Sequence, residues 1–181
     1  MFASISPTDH EREVARPGDE LVAPADVVMD RAFTLDAQPD EVWPWLVQLG
    51  KSRAGWYLPR AVEALLPASR RATRAIDPRW QQLQVGDVVP DYGGKNATFE
   101  VARLTRPESI VYTSTRGRVS MSWAITLEPR APSRTRVALR LRLAPVRHQR
   151  VADVAGGFFD AATIAGMAAG LRERVAAADA R

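Results

Sequence analysis

Apolar and polar positions along this chain change period several times, and each change marks an element. From Val27 to Leu35 they alternate: Val27, Met29, Phe33 and Leu35 fall on one side, Asp30, Ala32 and Thr34 on the other. That is the signature of a half-buried strand. Arg31 falls on the apolar side. From Pro39 the period lengthens. Val42, Trp45, Leu46 and Leu49 share one helical face, Asp40 and Glu41 occupy the first turn, and Gly50 with Lys51 closes it. Pro44 lies inside this pattern and predicts a kinked or short helix. Pro59 opens a second short helix, with Leu58, Val62, Leu65 and Leu66 on one face, and Pro67 ends it.

Residues 67 to 86 predict an irregular link carrying Arg70, Arg71 and Arg74, with Asp77-Pro78 capping a turn around Trp80. Strand signals follow at Asp87–Asp91, Asn96–Thr105, Ser109–Arg116, Arg118–Pro129 and Arg134–Ala144, broken by short turns that imply antiparallel hairpins. In the fourth, Val119, Met121, Trp123, Ile125 and Leu127 alternate with polar or small residues. In the fifth, Val137, Leu139, Leu141 and Leu143 alternate with Arg136, Ala138, Arg140 and Arg142. One sheet face is therefore apolar and the other wet. The last segment, Phe158 to Ala178, predicts a helix with Phe158, Ala161, Ile164, Ala165, Met167, Ala168, Leu171 and Val175 inside. Gly166 and Gly170 within it imply close backbone approach or space beside the helix. Residues 1–16 read as a flexible N-terminal tail, and Pro17-Gly18-Asp19 as a turn into a single domain over 17–181.

Composition narrows the chemistry. The 181 residues include no cysteine, which removes disulfides, thiol nucleophiles and thiolate metal sites, and fits a cytoplasmic location. No metal-ligand spacing and no cofactor motif is present. The net charge of +4 comes from arginines scattered among acidic residues, with Lys51 and Lys95 the only lysines, so no nucleic-acid footprint is expected. The segment Val151 to Leu171 comes nearest to a membrane span, but Asp153 and Asp160 interrupt it and a globular helix is expected instead.

Order and residues together resemble the SRPBCC superfamily (START, Bet v 1 and polyketide cyclase/dehydrase proteins). The strings that carry the resemblance are RAFTLDAQPDEVWPWLVQLG, RAGWY, DPRWQQLQVGDVVP and GFFDAATIAGMAAGLRERVA, and it extends over roughly residues 17 to 178. It implies an α+β helix-grip fold: a curved antiparallel sheet of six or seven strands wrapped around a long C-terminal helix, with two short helices after strand 1. A seventh strand, if present, would fall at Arg70–Ala75. The resemblance further implies a cavity between sheet and helix that takes a hydrophobic small molecule, lipid-, polyketide- or aromatic-like. No catalytic motif carries over residue by residue.

The expected ligand-binding residues are Arg31, Trp56, Tyr57, Trp80, Arg103, Tyr112, Met121, Trp123 and Met167. Arg31 and Arg103 sit on nominally inward strand faces, where each either anchors a polar ligand group or returns to solvent at a strand end or bulge. Trp56, Tyr57 and Trp80 are expected at the cavity rim; Trp45 and Trp123 are core or wall. An enzyme of the cyclase or dehydratase kind is the alternative, with proton transfer from Tyr112, Ser114 or His148 and an arginine beside the developing charge. His148 otherwise reads as a solvated connector. A third reading is an adaptor that meets a protein partner through the 70–74 link or through Arg136, Arg140 and Arg142, whose ordinary reading is a solvated face.

Overall fold

The computed structural model describes residues 3–147 and 152–179; His148 lies outside them. Four helices and six strands form the frame: α1 (Asp9–Glu13), β1 (Val27–Leu35), α2 (Pro39–Val47), α3 (Arg60–Glu63), β2 (Val88–Pro90), β3 (Thr98–Thr105), β4 (Ser109–Arg116), β5 (Val119–Arg130), β6 (Arg134–Ala144) and α4 (Gly157–Asp179). The strands make one antiparallel sheet in the order β1-β6-β5-β4-β3-β2. The 70–75 link contributes no strand.

Register aligns the inward residues in rows across the sheet. Phe33 faces Val137 and Leu127; Arg31 faces Leu139, then Ile125 and Ile110; Met29 faces Leu141, then Trp123 and Tyr112. α4 covers this face with Ala161, Ile164, Met167, Ala168, Leu171 and Val175 buried. Phe158, expected on that stripe, is 64% exposed instead. By length and composition Val154–Ala178 could cross a membrane, yet here its apolar stripe is spent on the sheet.

The two glycines of α4 admit the chain that crosses it. A Cβ on Gly170 would lie 2.6 Å from the Leu58 backbone nitrogen, and one on Gly166 would lie 2.8 Å from a Leu58 methyl. Beside this crossing, Arg174 is buried. It donates to Glu63 Oε1 (2.6 Å), to the carbonyls of Thr73 (2.8 Å) and Leu58 (3.1 Å), and stacks over the Tyr57 ring. Arg74 holds the second oxygen of Glu63. The buried residue of α3 is thus Glu63, and not the expected apolar face, whose Val62 and Leu65 are exposed.

The N-terminal segment is not a loose tail. Ile5 enters the hydrophobic core. Thr8 and Glu11 form a capping box that starts α1. The chain then runs as a strap over the outer face of the sheet, where Ala32, Ala124, Ala138 and Val111 leave room. The expected solvated arginine ladder grips it. Arg136 pairs with Glu11 (2.7 Å). Arg140 pairs with Asp30 (2.7 Å) and Asp19 (2.9 Å) and donates to the carbonyls of Arg12 and Val14, and Arg142 donates to Val22 O. Gly18 has φ +85°, and a Cβ there would meet Val111 at 2.4 Å. The arginines were solvated in expectation because the acids that meet them are more than a hundred residues away in sequence.

Candidate functional site

Burial on the inner face falls off along α4. Where the helix has passed its midpoint, Phe33, Val137, Leu127, Ile125, Leu139 and Ile110 are closed off by Met167 and Leu171. Toward the helix start, Trp123, Met121, Leu141 and Leu143 are only half-buried, and Phe158 and Phe159 stand exposed on the first turn of α4. Among the described residues this end of the inner face is only partly covered, where a cavity was expected, and it is called the groove below.

Its wall is aromatic. Trp123 stacks on Tyr112 (centroids 5.7 Å apart) and on Trp56 (6.1 Å), and Phe99 tilts against both Tyr112 and Trp123. Strand register places Tyr112 and Trp123 opposite each other, while Trp56 arrives from the turn after α2 and donates its indole N–H to Thr163 O on α4 (3.4 Å). Offset rings of this kind present flat apolar surface with few polar atoms. Burial pushes the Tyr112 phenol up. Arg116 lies over Phe99 and pairs with Asp91 at the groove's edge.

One polar pair faces the groove. Arg31 Nε lies 2.9 Å from Asp160 Oδ2, and its other nitrogens donate to Gly157 O (2.8 Å) and Asp30 O (2.7 Å). Both side chains are largely buried, and that burial pushes the Asp160 carboxyl up to about 6, against the opposing pull of Arg31. Arg31 does face inward, but its partner is an acid of this chain. Asp160 was missed as a site residue. In the sequence it only interrupts an apolar run, though an acid in the first turn of the covering helix opposite an inward arginine is a readable signal.

Of the nine residues expected to bind ligand, Trp56, Tyr112, Met121 and Trp123 come together, with Arg31 nearby. The other four do not join them. Tyr57 is fully buried core: its hydroxyl donates to Trp45 O (2.8 Å) and accepts from Gln48 Nε2 (3.0 Å). Met167 is likewise closed into the core. Arg103 points outward and pairs with Glu20 of the strap, because a bulge between Val101 and Arg103 inserts an extra residue and reverses the alternation. Trp80 lines a separate pocket of about 280 Å³, with Arg53, Arg79, Leu83, Asp87 and Val88, that includes no residue of α4. Among the groups considered for proton transfer, Ser114 donates to Thr98 O (2.6 Å). Of the surfaces considered for an adaptor, the ladder is engaged by the strap and Arg74 by Glu63 and Glu173, while Arg70 and Arg71 are exposed.

No family model matches the chain, and no curated protein matches it by sequence. Solved structures do match in shape. A protein from Rhodobacter sphaeroides is similar over 86% of this chain and 96% of its own, with TM-score 0.54 and 15% identity. A protein from Arthrobacter aurescens is similar over 96% of this chain and 93% of its own, with TM-score 0.51 and 14% identity. CalU16 from Micromonospora echinospora is similar over 84% and 86%, with TM-score 0.49 and 16% identity. At such identities the likeness is one of shape. The sheet, its order and the covering helix are those of the helix-grip fold, and the likeness is one of fold alone.

Proposed function

We propose that this protein is a cytoplasmic binding module that holds a hydrophobic small molecule, lipid-, polyketide- or aromatic-like, in the groove under the first turns of α4. The observation that supports this most is the half-buried aromatic wall of Trp56, Phe99 and Trp123, backed by buried Tyr112, at the end where the described residues of α4 cover the sheet only partly. Such a surface gains by covering: roughly 25 cal/mol per Å² of apolar area removed from water. Native mass spectrometry of freshly purified protein, followed by titration with an apolar fluorophore, tests it. The expected result is a retained or titratable ligand that Trp123→Ala weakens at least tenfold. Equal affinity in wild type and Trp123→Ala would sink the proposal.

Chemistry of the cyclase or dehydratase kind in the same groove is the second reading. It is favoured by Asp160, whose carboxyl titrates near 6 beside a guanidinium, a range suited to proton transfer near neutral pH. Its test is turnover of a poly-β-keto thioester probe, expected to fall at least a hundredfold in Asp160→Asn while probe binding persists. Undiminished turnover in that variant removes Asp160 from any such reaction.

A further inference from the structure

The arginines of this protein that are not fully exposed follow a rule. Arg16, Arg31, Arg74, Arg116, Arg136, Arg140, Arg142 and Arg174 each have a carboxylate within ion-pair distance. Arg53 is the exception among the described residues. It is half-buried, and its Nε is buried with no partner. Nη2 donates to Val47 O (2.8 Å) and, longer, to Trp80 O (3.4 Å), and the guanidinium lies 4.7 Å from the centre of the Trp80 ring. Those contacts position the group without a carboxylate at ion-pair distance; Asp87 acts on its charge only from farther away. A desolvated cation without a counter-charge is costly, and proteins rarely keep one without a reason.

The backbone that presents Arg53 is also constrained. It follows Ser52, which has φ +62°, inside a tight loop closed by Gly55 N donating to Gly50 O (3.0 Å). A non-glycine residue in the left-handed region is strain that the surrounding fold must hold in place.

Arg53 opens onto the pocket of about 280 Å³ noted above. Of the other charges there, Arg79 is neutralised by Asp77 at 2.6 Å. Asp87 accepts from Gln84 N (2.9 Å) and lies beyond ion-pair distance of Arg53. The lining is mostly polar and includes Gln82; its smaller apolar part comes from Val88, exposed at the rim, and the edge of buried Leu83.

We propose that this pocket is a second binding site, separate from the groove, that takes the carboxylate of a small organic acid on Arg53 and its apolar body against Leu83 and Val88. One uncommitted cation matches one negative charge. A dianion such as phosphate would meet Asp87 with twice the repulsion and leave the apolar wall uncovered. The proposal does not depend on what the groove binds, since the two share no lining residue.

Benzoate is the probe, titrated by saturation-transfer NMR against the full-length protein at neutral pH. Saturable binding at about 1 mM or tighter is expected for a fragment of that size. Arg53→Gln should weaken it at least tenfold. Because Arg53 also braces Val47 O, Val88→Trp serves as the second variant: it fills the pocket from an exposed edge position and should weaken benzoate as much without moving Tm. Inorganic phosphate should bind more weakly than benzoate. Absence of saturable benzoate binding, unchanged affinity in Val88→Trp, or tighter binding of phosphate would each overturn the proposal.

Discussion

Single residues here carry effects that differ in sign with pH. Glu11, held by Arg136 and the Thr8 backbone N–H, has its carboxyl pulled down from 4.5 to about 2. Its contribution to stability is present above about pH 4.5 and is lost as pH falls through 2. Asp160 runs the other way. Burial raises it from 3.8 to about 6, so folding favours its protonated form: stability from this group is full below about pH 4 and is lost as pH rises through 6. Urea midpoints measured from pH 2 to 8 should show Glu11→Gln flattening the acid limb and Asp160→Asn flattening the limb between 4 and 6. Glycine positions give a second residue-scale prediction. Gly170→Ala should lower stability by about 1–3 kcal/mol, because its methyl meets rigid backbone at 2.6–2.7 Å, whereas Gly94→Ala, whose Cβ would lie 3.7 Å from Ala97, should change it by less than about 0.5 kcal/mol.

At the scale of elements, two devices hold the molecule closed, and both were hard to read in sequence for the same reason. Glu63 on α3 and Arg174 on α4 are 111 positions apart, yet they meet in the interior at 2.6 Å. Arg174→Met should cost roughly 3–5 kcal/mol by leaving Glu63 buried with only Arg74, and a further Glu63→Leu should restore part of that loss. A double-mutant cycle on thermal unfolding checks it. Periodicity finds elements because apolar spacing is local. It found β1, β4, β5, β6 and α4 to within a few residues. It does not find ion pairs that span the chain, so the arginine ladder read as solvated. The Thr8–Glu11 capping box has a local signature, Thr and Glu three apart, but residues 1–16 read as a tail and α1 was missed. A bulge has no such signature, so alternation alone put Arg103 nominally inward and left its return to solvent at a bulge as the alternative, which is the one the structure takes.

For the molecule as a whole, the container was legible and the opening in it was not. Alternation in β4 and β5 puts Tyr112, Met121 and Trp123 on one face, but burial along α4 decides which part of that face stays open. Trp56 and Tyr57, neighbours in one short string, part ways: one faces the groove and the other fills the core beneath Arg174. A limited-proteolysis and hydrogen-exchange map should follow the same gradient. Amides of β1 and β6 facing the buried half of α4 should exchange slowest, and those of the first turns of α4 fastest within that helix.

The strap has a consequence in time. Residues 5–16 are made before the sheet they cross, and Arg136 and Arg140, which grip Glu11 and the carbonyls beside it, are made 125 or more positions later. A segment made early is thus placed late. Until β6 pairs between β1 and β5, the strap has neither its basic partners nor the small-residue shelf on which Gly18 rests. Its docking depends on long-range closure, a step that slows with sequence separation. A fragment beginning at residue 17 should fold its sheet at a similar rate and unfold faster, because it keeps Gly18 and Asp19 but lacks Ile5 in the core and the Glu11–Arg136 fastening made after the sheet is built. Stopped-flow folding and unfolding of the full chain and that fragment would separate the two steps.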